Sequence, residues 1–332
     1  MTDGHVWTVE QAAVLLSTGP GLLSANAGTG KTTTIVGKIL WMLGLDVGRC
    51  ADGTPIPPCP NPCRLDEIAA ITFTQKAASE LKQKLLAGIE ASDRADELRW
   101  ELDSASVGTI HGFCGRLLRD HALRLGIDPW FRVLDEREAT LRRLEIVRST
   151  VMTAAAEERS DISLLLERLG LHDGSFKKGL VSVTDTVLRD IRWHAGSYTA
   201  WTRERSTVDD PAALDAERIL SLFGDAGEER ASVDDEDSQG LRFAGALYSL
   251  AHQALSAWLS WMEKENVRDF DSLILDARRL LTRPEHRAAL QSIRRNLKIL
   301  IIDEFQDTDG AQQDIAFALA GIGESDDTQC PQ

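Results

Sequence analysis

Two short runs, far apart in the chain, carry the residue types needed to hold a phosphate anhydride and break it. Ser24 to Thr34 reads SANAGTGKTTT. Gly28 and Gly30 let backbone N–H groups approach phosphate oxygens, and Lys31 supplies a cation for the β- and γ-phosphates. Thr32 offers a hydroxyl to magnesium, and Ala27, Gly28, Thr29, Gly30, Lys31, Thr32 and Thr33 line the binding face. The helix that this loop opens adds the positive potential of its N-terminus. One position departs from the strict pattern, with Ala25 standing where the first glycine belongs. The bland alternative is a glycine-rich turn ending in an exposed lysine. The second run, Ile301 to Asp309, reads IIDEFQDTD. Asp303 can hold magnesium through water while Glu304 orients and deprotonates an attacking water. Adjacent acids alone fit a solvated strand end as well. Their weight comes from the pairing, because phosphoryl transfer needs both the cradle and the metal-binding acid. ATP and Mg2+ are the ligands implied.

The elements that must position these groups are legible in the hydrophobic pattern. Gly21 to Asn26 reads as a short buried strand, and Ile35, Val36, Ile39, Leu40 and Leu43 mark one face of the helix after the loop. Five prolines between Pro55 and Pro62 then force an irregular connection. Ile68 to Thr74 is a second apolar run, followed by a helix with Ala77, Leu81, Leu85 and Ile89 four apart. A third such unit begins at Ser106 to His111 and continues into a helix carrying Phe113, Leu117, Leu118 and Leu125. From about 130 to 265 helical spacing dominates, with an acidic block at 224–240 that reads as a linker because it offers little apolar surface to bury. Strand character returns at Leu297 to Ile302, a continuous apolar run of the kind covered on both faces in a parallel sheet. The pattern predicts an α/β fold with a parallel sheet, formed by residues 1–120 and 266–332 and interrupted by a helical accessory insertion at 121–265. Ligands of such folds bind at the carboxyl ends of the strands, where both runs fall.

At 332 residues the chain exceeds what one core supports, which agrees with two domains. The 43% hydrophobic and 27% charged content is that of a globular protein, and no apolar stretch approaches a membrane span. The N-terminus has neither a basic leader nor an apolar segment, so the cytoplasm is expected. Five cysteines, unevenly placed, suit a reducing compartment, and Cys50, Cys59 and Cys63 lack a fourth ligand for a tetrahedral zinc site. A net charge of -15 opposes a nucleic-acid partner at first sight. A dense block of that acid lies at Asp225–Asp237, while Lys76, Lys82, Lys84, Arg116 and Arg119 flank the second and third strand ends, so a local basic face is compatible with an acidic chain.

Taken in order, AGTGKT, ITFTQKAASEL (Ile71 to Leu81), VGTIHGFCGRLLRDHA (Val107 to Ala122), DFDSLI (Asp269 to Ile274) and LIIDEFQDTD resemble the motifs of UvrD/Rep-type superfamily 1 DNA helicases. The third segment and its continuation GIDPWFRVLDEREA (Gly126 to Ala139) are most similar to the RecB/AddA branch, the helicase subunits of ATP-dependent exonucleases. The resemblance covers roughly residues 7–139 and 265–332. It implies a RecA-like P-loop motor domain and ATP-driven 3'-to-5' translocation and unwinding in DNA repair and recombination. It implies that Gln11 reads the adenine edge, although a solvated helix-start glutamine is the plain alternative. It further implies that Thr72, Phe73, Thr74, Thr109 and His111 contact single-stranded DNA, and that Gln306 couples nucleotide state to DNA grip. Phe73 fits a core position equally well, and His111 fits an ordinary helix cap. Family members continue into a second motor domain that brings an arginine to the phosphate, and in this branch into a nuclease and a partner subunit. Without that continuation the chain is expected to bind Mg-ATP and DNA, hydrolyse slowly and unwind nothing. The competing expectation is a binding or regulatory fragment without useful turnover.

Overall fold

The computed structural model describes residues 5–19, 21, 23, 30–102, 105–157, 160–174, 178–194 and 236–322. The described residues fall into two compact units, one of Met1–Ile127 with Leu280–Gln332 and one of Asp128–Arg279.

The first unit is built on a three-stranded parallel sheet of β3 (Ile68–Thr72), β4 (Ser106–Thr109) and β7 (Ile299–Ile302), in the order β4-β3-β7. β3 is central. Every residue of its IAAIT run is buried, because it has a strand on each side and helices above and below. Its register sets Thr72 beside Thr109 and Ile71 beside Ile302, so the carboxyl ends of all three strands reach one edge of the sheet. Asp303 N–H extends the ladder by donating to the Ile71 carbonyl at 2.9 Å.

Helix α2 (Lys31–Met42) buries Ile35, Val36, Ile39 and Leu40 and packs on α3 (Gln75–Glu90), which buries Leu81, Leu85 and Ile89. α5 (Ile110–Asp120) lies against β3 and β4 through Cys114, Leu117 and Leu118, and the single turn of α6 (Ala122–Leu125) follows it. The short helix α1 (Val9–Leu16) rests on α2, behind a two-residue parallel pair of β1 (Val6–Trp7) with β2 (Arg49–Cys50). α4 (Ala95–Glu101) packs beside α3. α12 (Arg287–Asn296) and α13 (Gly310–Ala320) pair with each other on either side of β7 in sequence.

Two expectations change here. Among the described residues β7 has a single neighbour, so its four residues are half-buried along their length rather than covered like those of β3. Of the strand expected at Gly21 to Asn26, the described positions Gly21 and Leu23 are outside any strand and exposed, and the others lie outside the described residues.

The second unit is mainly helical. α7 (Glu136–Ala156), α8 (Ser160–Leu169), α9 (Leu180–His194) and α10 (Glu236–Lys264) share a core that includes Val147, Val151, Leu165, Val187, Leu188, Leu247, Leu250 and Trp258. Trp258 and Trp261 stack at 5.2 Å, and Arg142 lies over the Trp261 ring, so the tryptophans three apart form a packed helix face. Strands of two residues, β5 (Arg132–Val133) and β6 (Val267–Arg268), pair in parallel and lead into α7 and into α11 (Phe270–Thr282). Of the acidic linker expected at 224–240, residues 236–240 belong to the first turns of α10, and the remainder lies outside the described residues.

Arg192, a buried cation of α9, is held by Asp269 in a two-pronged pair of 2.6 and 2.7 Å. Asp269 stands immediately before α11, and its Oδ1 also accepts from Ser272 N–H at 2.9 Å, capping that helix. The DFDS run is therefore a helix start and a counter-ion at once.

Candidate functional site

Lys31 is the first residue of α2, and Gly30 before it adopts a left-handed backbone, φ 86°, that a side chain would strain. Across 273 positions of sequence, Lys31 Nζ donates to Glu304 Oε1 at 2.5 Å and lies 3.3 Å from Asp303 Oδ1. The two runs thus meet at the carboxyl end of the sheet. Gln306 Nε2 donates to the other oxygen of Glu304, and Glu304 N–H donates to Asp303 Oδ1 at 3.1 Å. Glu304 has a left-handed backbone at φ 54°, an uncommon state for a residue with a side chain, at the turn where β7 gives way to a short 3-10 helix. Asp309 ends the run by capping α13, with Oδ1 accepting from Gln312 N–H at 2.9 Å.

The electrostatics follow the contacts. The hydrogen bond from Lys31, then that from Gln306, hold the Glu304 carboxyl below its usual range. The hydrogen bond to Glu304 in turn raises Lys31, against the smaller opposing effect of burial and with further help from Asp303. Asp303 is 12% exposed and Glu304 42%, so the first carboxylate is the sheltered one and the second faces outward.

Gln11 reaches the same place from α1. It closes a capping box with Thr8, in which Thr8 Oγ1 accepts from Gln11 N–H at 3.2 Å and Gln11 Oε1 accepts from Thr8 N–H at 3.1 Å. The Nε2 end lies against Gly30, where an added Cβ would stand 3.1 Å from it. Thr32 and Thr33 are half-buried in the first turn of α2. Ala27, Gly28 and Thr29 lie outside the described residues.

The remaining candidates cluster at the ends of β3 and β4. Thr74 is exposed and caps α3, accepting from Ala77 N–H at 3.1 Å, and Thr109 caps α5, accepting from Gly112 N–H at 3.2 Å. A hydroxyl that accepts in this way still has its own proton to donate, so capping and phosphate contact are compatible. Thr72 differs. It is 1% exposed and gives its proton to the Thr74 carbonyl at 3.2 Å, which orders the turn. Phe73 and His111 are half-buried at the same edge.

A cleft of about 480 Å³ in the first unit lies elsewhere, among Ser106, Arg116, Asp120, Glu67 and Leu297, at the amino ends of the strands. Arg116 therefore faces away from the carboxyl ends, among side chains of both charges. Three residues that fasten elements within one unit or the other were not singled out from the sequence. Lys38 and Trp7 fasten α1 to α2, and Arg192 anchors the DFDS turn. Only Lys38 left a trace, as a lone cation inside the apolar run from Ile35 to Met42.

Residues 7–325 match the family model described as the UvrD/REP helicase N-terminal domain. Among curated proteins, the chain is similar to an ATP-dependent helicase/nuclease subunit of Pelotomaculum thermopropionicum, 32% identical over 196 residues, which is 56% of this chain and 14% of that protein. The protein of the same description from Moorella thermoacetica is 32% identical over 198 residues, covering 57% and 13%. That from Ruminiclostridium cellulolyticum is 33% identical over 174 residues, covering 49% and 13%. The matched stretch is thus about one seventh of the length of these relatives. Among the described residues no helix is long and apolar enough to cross a membrane.

Proposed function

Because the chain belongs to the UvrD/REP helicase N-terminal domain family, we propose that it is the ATP-binding part of an ATP-dependent DNA helicase acting in repair and recombination. In this reading the first unit is a RecA-like motor domain and the second a helical accessory domain. Translocation runs 3'-to-5' along single-stranded DNA, in the cytoplasm, alongside a second motor domain and a nuclease or helicase partner subunit.

The observation that carries the reading is the meeting of Lys31 with Asp303 and Glu304 at the carboxyl end of a parallel sheet. The donor set suits Mg-ATP. A cation stands at a helix N-terminus behind a left-handed glycine, and two carboxylates of unequal exposure stand opposite it. Lys31 would meet the β- and γ-phosphates, Thr32 and the sheltered Asp303 would hold the magnesium, and Gln11 would pair with the adenine edge. When bound, Mg-ATP supplies the phosphoanhydride whose hydrolysis releases the energy for movement.

Glu304 faces outward and is paired with Lys31 and Gln306 here; once Lys31 turns to the phosphates, the freed carboxylate would be the acceptor for a proton from water. Gln306 touches Glu304 on one side and belongs to the turn leading to α13, so it can pass a change at the carboxylate to the rest of the unit. The exposed Thr74 and the half-buried Phe73 and His111 offer phosphate and base contacts at the neighbouring strand ends, with the buried Thr109 capping α5 and Thr72 ordering the turn beneath them. Titration of a fluorescent ATP analogue into the wild-type chain and into Lys31→Ala tests the proposal. Saturable, magnesium-dependent binding by the first and none by the second is expected. Equal binding by both overturns it.

A further inference from the structure

Gln11 sits on a helix of eight residues, Val9–Leu16, and a helix that short does not hold itself in place in water. Two fastenings tie it to α2. At its front, the Trp7 indole fills the notch left by Gly37, where an added Cβ would stand 2.3 Å from the ring. Trp7 is 1% exposed, and its Nε1 donates to the Val47 carbonyl at 2.7 Å, which orients the ring in the notch. At its back, Lys38 Nζ donates to the Leu15 carbonyl at 2.7 Å and to the Ser17 carbonyl. These carbonyls lie at the C-terminus of α1, where the helix's own ladder leaves acceptors unpaired and the helix dipole favours a cation. The stem of Lys38 is steadied in turn by Trp41, whose ring lies 4.6 Å from Nζ.

Lys38 is on α2, the helix whose first residue is Lys31. The phosphate-binding lysine and the clamp on α1 therefore belong to one rigid rod.

We infer that Lys38, with Trp7 seated on Gly37, is the positioning device that sets Gln11 against Gly30, ahead of Lys31, and so determines selectivity for the adenine base. The inference rests on the reading that Gln11 meets the base. A side-chain amide pairs with adenine by accepting from N6 and donating to N7, and guanine presents two acceptors at the same edge, which the amide cannot match in one orientation. Such discrimination depends on where the amide is held. Lys38 touches no nucleotide in this scheme; it acts through α1.

The test compares the wild-type chain, Gln11→Ala, Lys38→Met and Lys38→Arg. Each is titrated with Mg-ATP, Mg-GTP and magnesium tripolyphosphate in competition with a fluorescent ATP analogue. Both Gln11→Ala and Lys38→Met are expected to lose the preference for ATP over GTP by roughly tenfold, the worth of one bidentate base contact. Tripolyphosphate affinity should stay unchanged in both, and Lys38→Arg, which still donates, should keep the preference. A general loosening of the site would instead lower tripolyphosphate binding along with ATP, and that result overturns the proposal. If Gln11→Ala loses the preference and Lys38→Met retains it, Gln11 reads the base without help from Lys38 and the proposal fails alone. If Gln11→Ala retains it, the underlying reading of Gln11 fails and takes the proposal with it. Should Lys38→Met not fold, Lys38→Gln, uncharged and one atom shorter, so that it cannot span both carbonyls as the ammonium does, replaces it and is expected to show a partial loss; wild-type preference in that variant overturns the proposal.

Discussion

Cutting Asp269 back to alanine should unfold the second unit at a markedly lower temperature, because it strands the buried Arg192 cation. The guanidinium is 6% exposed and Asp269 4%, and Nη2 of Arg192 also donates to Ser272 Oγ at 2.6 Å. Burial alone would push the Asp269 carboxyl up, but the charge and hydrogen bonds of Arg192, with those of Ser272, outweigh it and hold the group well below the usual carboxylate range. Removing one member of such a pair costs about 3–5 kcal/mol, because the remaining buried charge loses its two-pronged partner and keeps only the longer 3.8 Å approach of the Asp271 carboxylate. For a unit of this size each kcal/mol moves the midpoint by about 2–4 °C, so the melting temperature should fall by roughly 6–20 °C. The stacked indoles of Trp258 and Trp261 lie inside the same unit, so near-ultraviolet circular dichroism is the measurement to follow its melting.

The double change Arg192→Met with Asp269→Leu leaves no stranded charge and should recover most of the loss. The pH dependence has a definite sign. A carboxyl whose folded pKa lies below its unfolded value of about 4 contributes stability that is fully present above that pH. The contribution fades as pH falls from there through the folded value, and Asp269→Asn should flatten that part of the curve. A loss under about 1 kcal/mol in Asp269→Ala, or a double variant no better than the single one, refutes the reasoning.

Replacing Gln306 by alanine removes one of the two groups that hold Glu304 ionised, so the acid limb of hydrolysis should move to higher pH; an unmoved limb argues against the contact. Gly37→Ala should destabilise the chain in urea melts. The alanine gains about 1 kcal/mol of helix propensity, but overpacking against Trp7 costs about 1–3 kcal/mol, and a stabilised variant would show that the ring can yield. Cys114 is wholly buried and its thiol is pushed well up by that burial, so thiol reagents followed by peptide mass analysis should label it only after denaturation, while half-buried Cys63 labels in the native chain. Early labelling of Cys114 would mean that α5 opens locally.

The sequence alone determined what local chemistry can write. Glycines before Lys31, the apolar run before Asp303 and the spacing of Leu81, Leu85 and Ile89 each report on a few neighbouring residues, and the elements formed where those signals lay. It also marked the strand ends as the place for the site, since the parallel β-α alternation is itself a local pattern repeated. Tertiary structure decided which distant groups meet. Lys31 reaches Glu304 across 273 positions, Gln11 lies against Gly30 because α1 is strapped to α2, and Arg192 finds Asp269 from another helix. Those contacts leave no periodicity to read, because each depends on how two elements pack. The same holds for β7. Its residues are as apolar as those of β3, yet they are half-buried, because burial depends on which strands and helices stand beside a strand as well as on its own side chains.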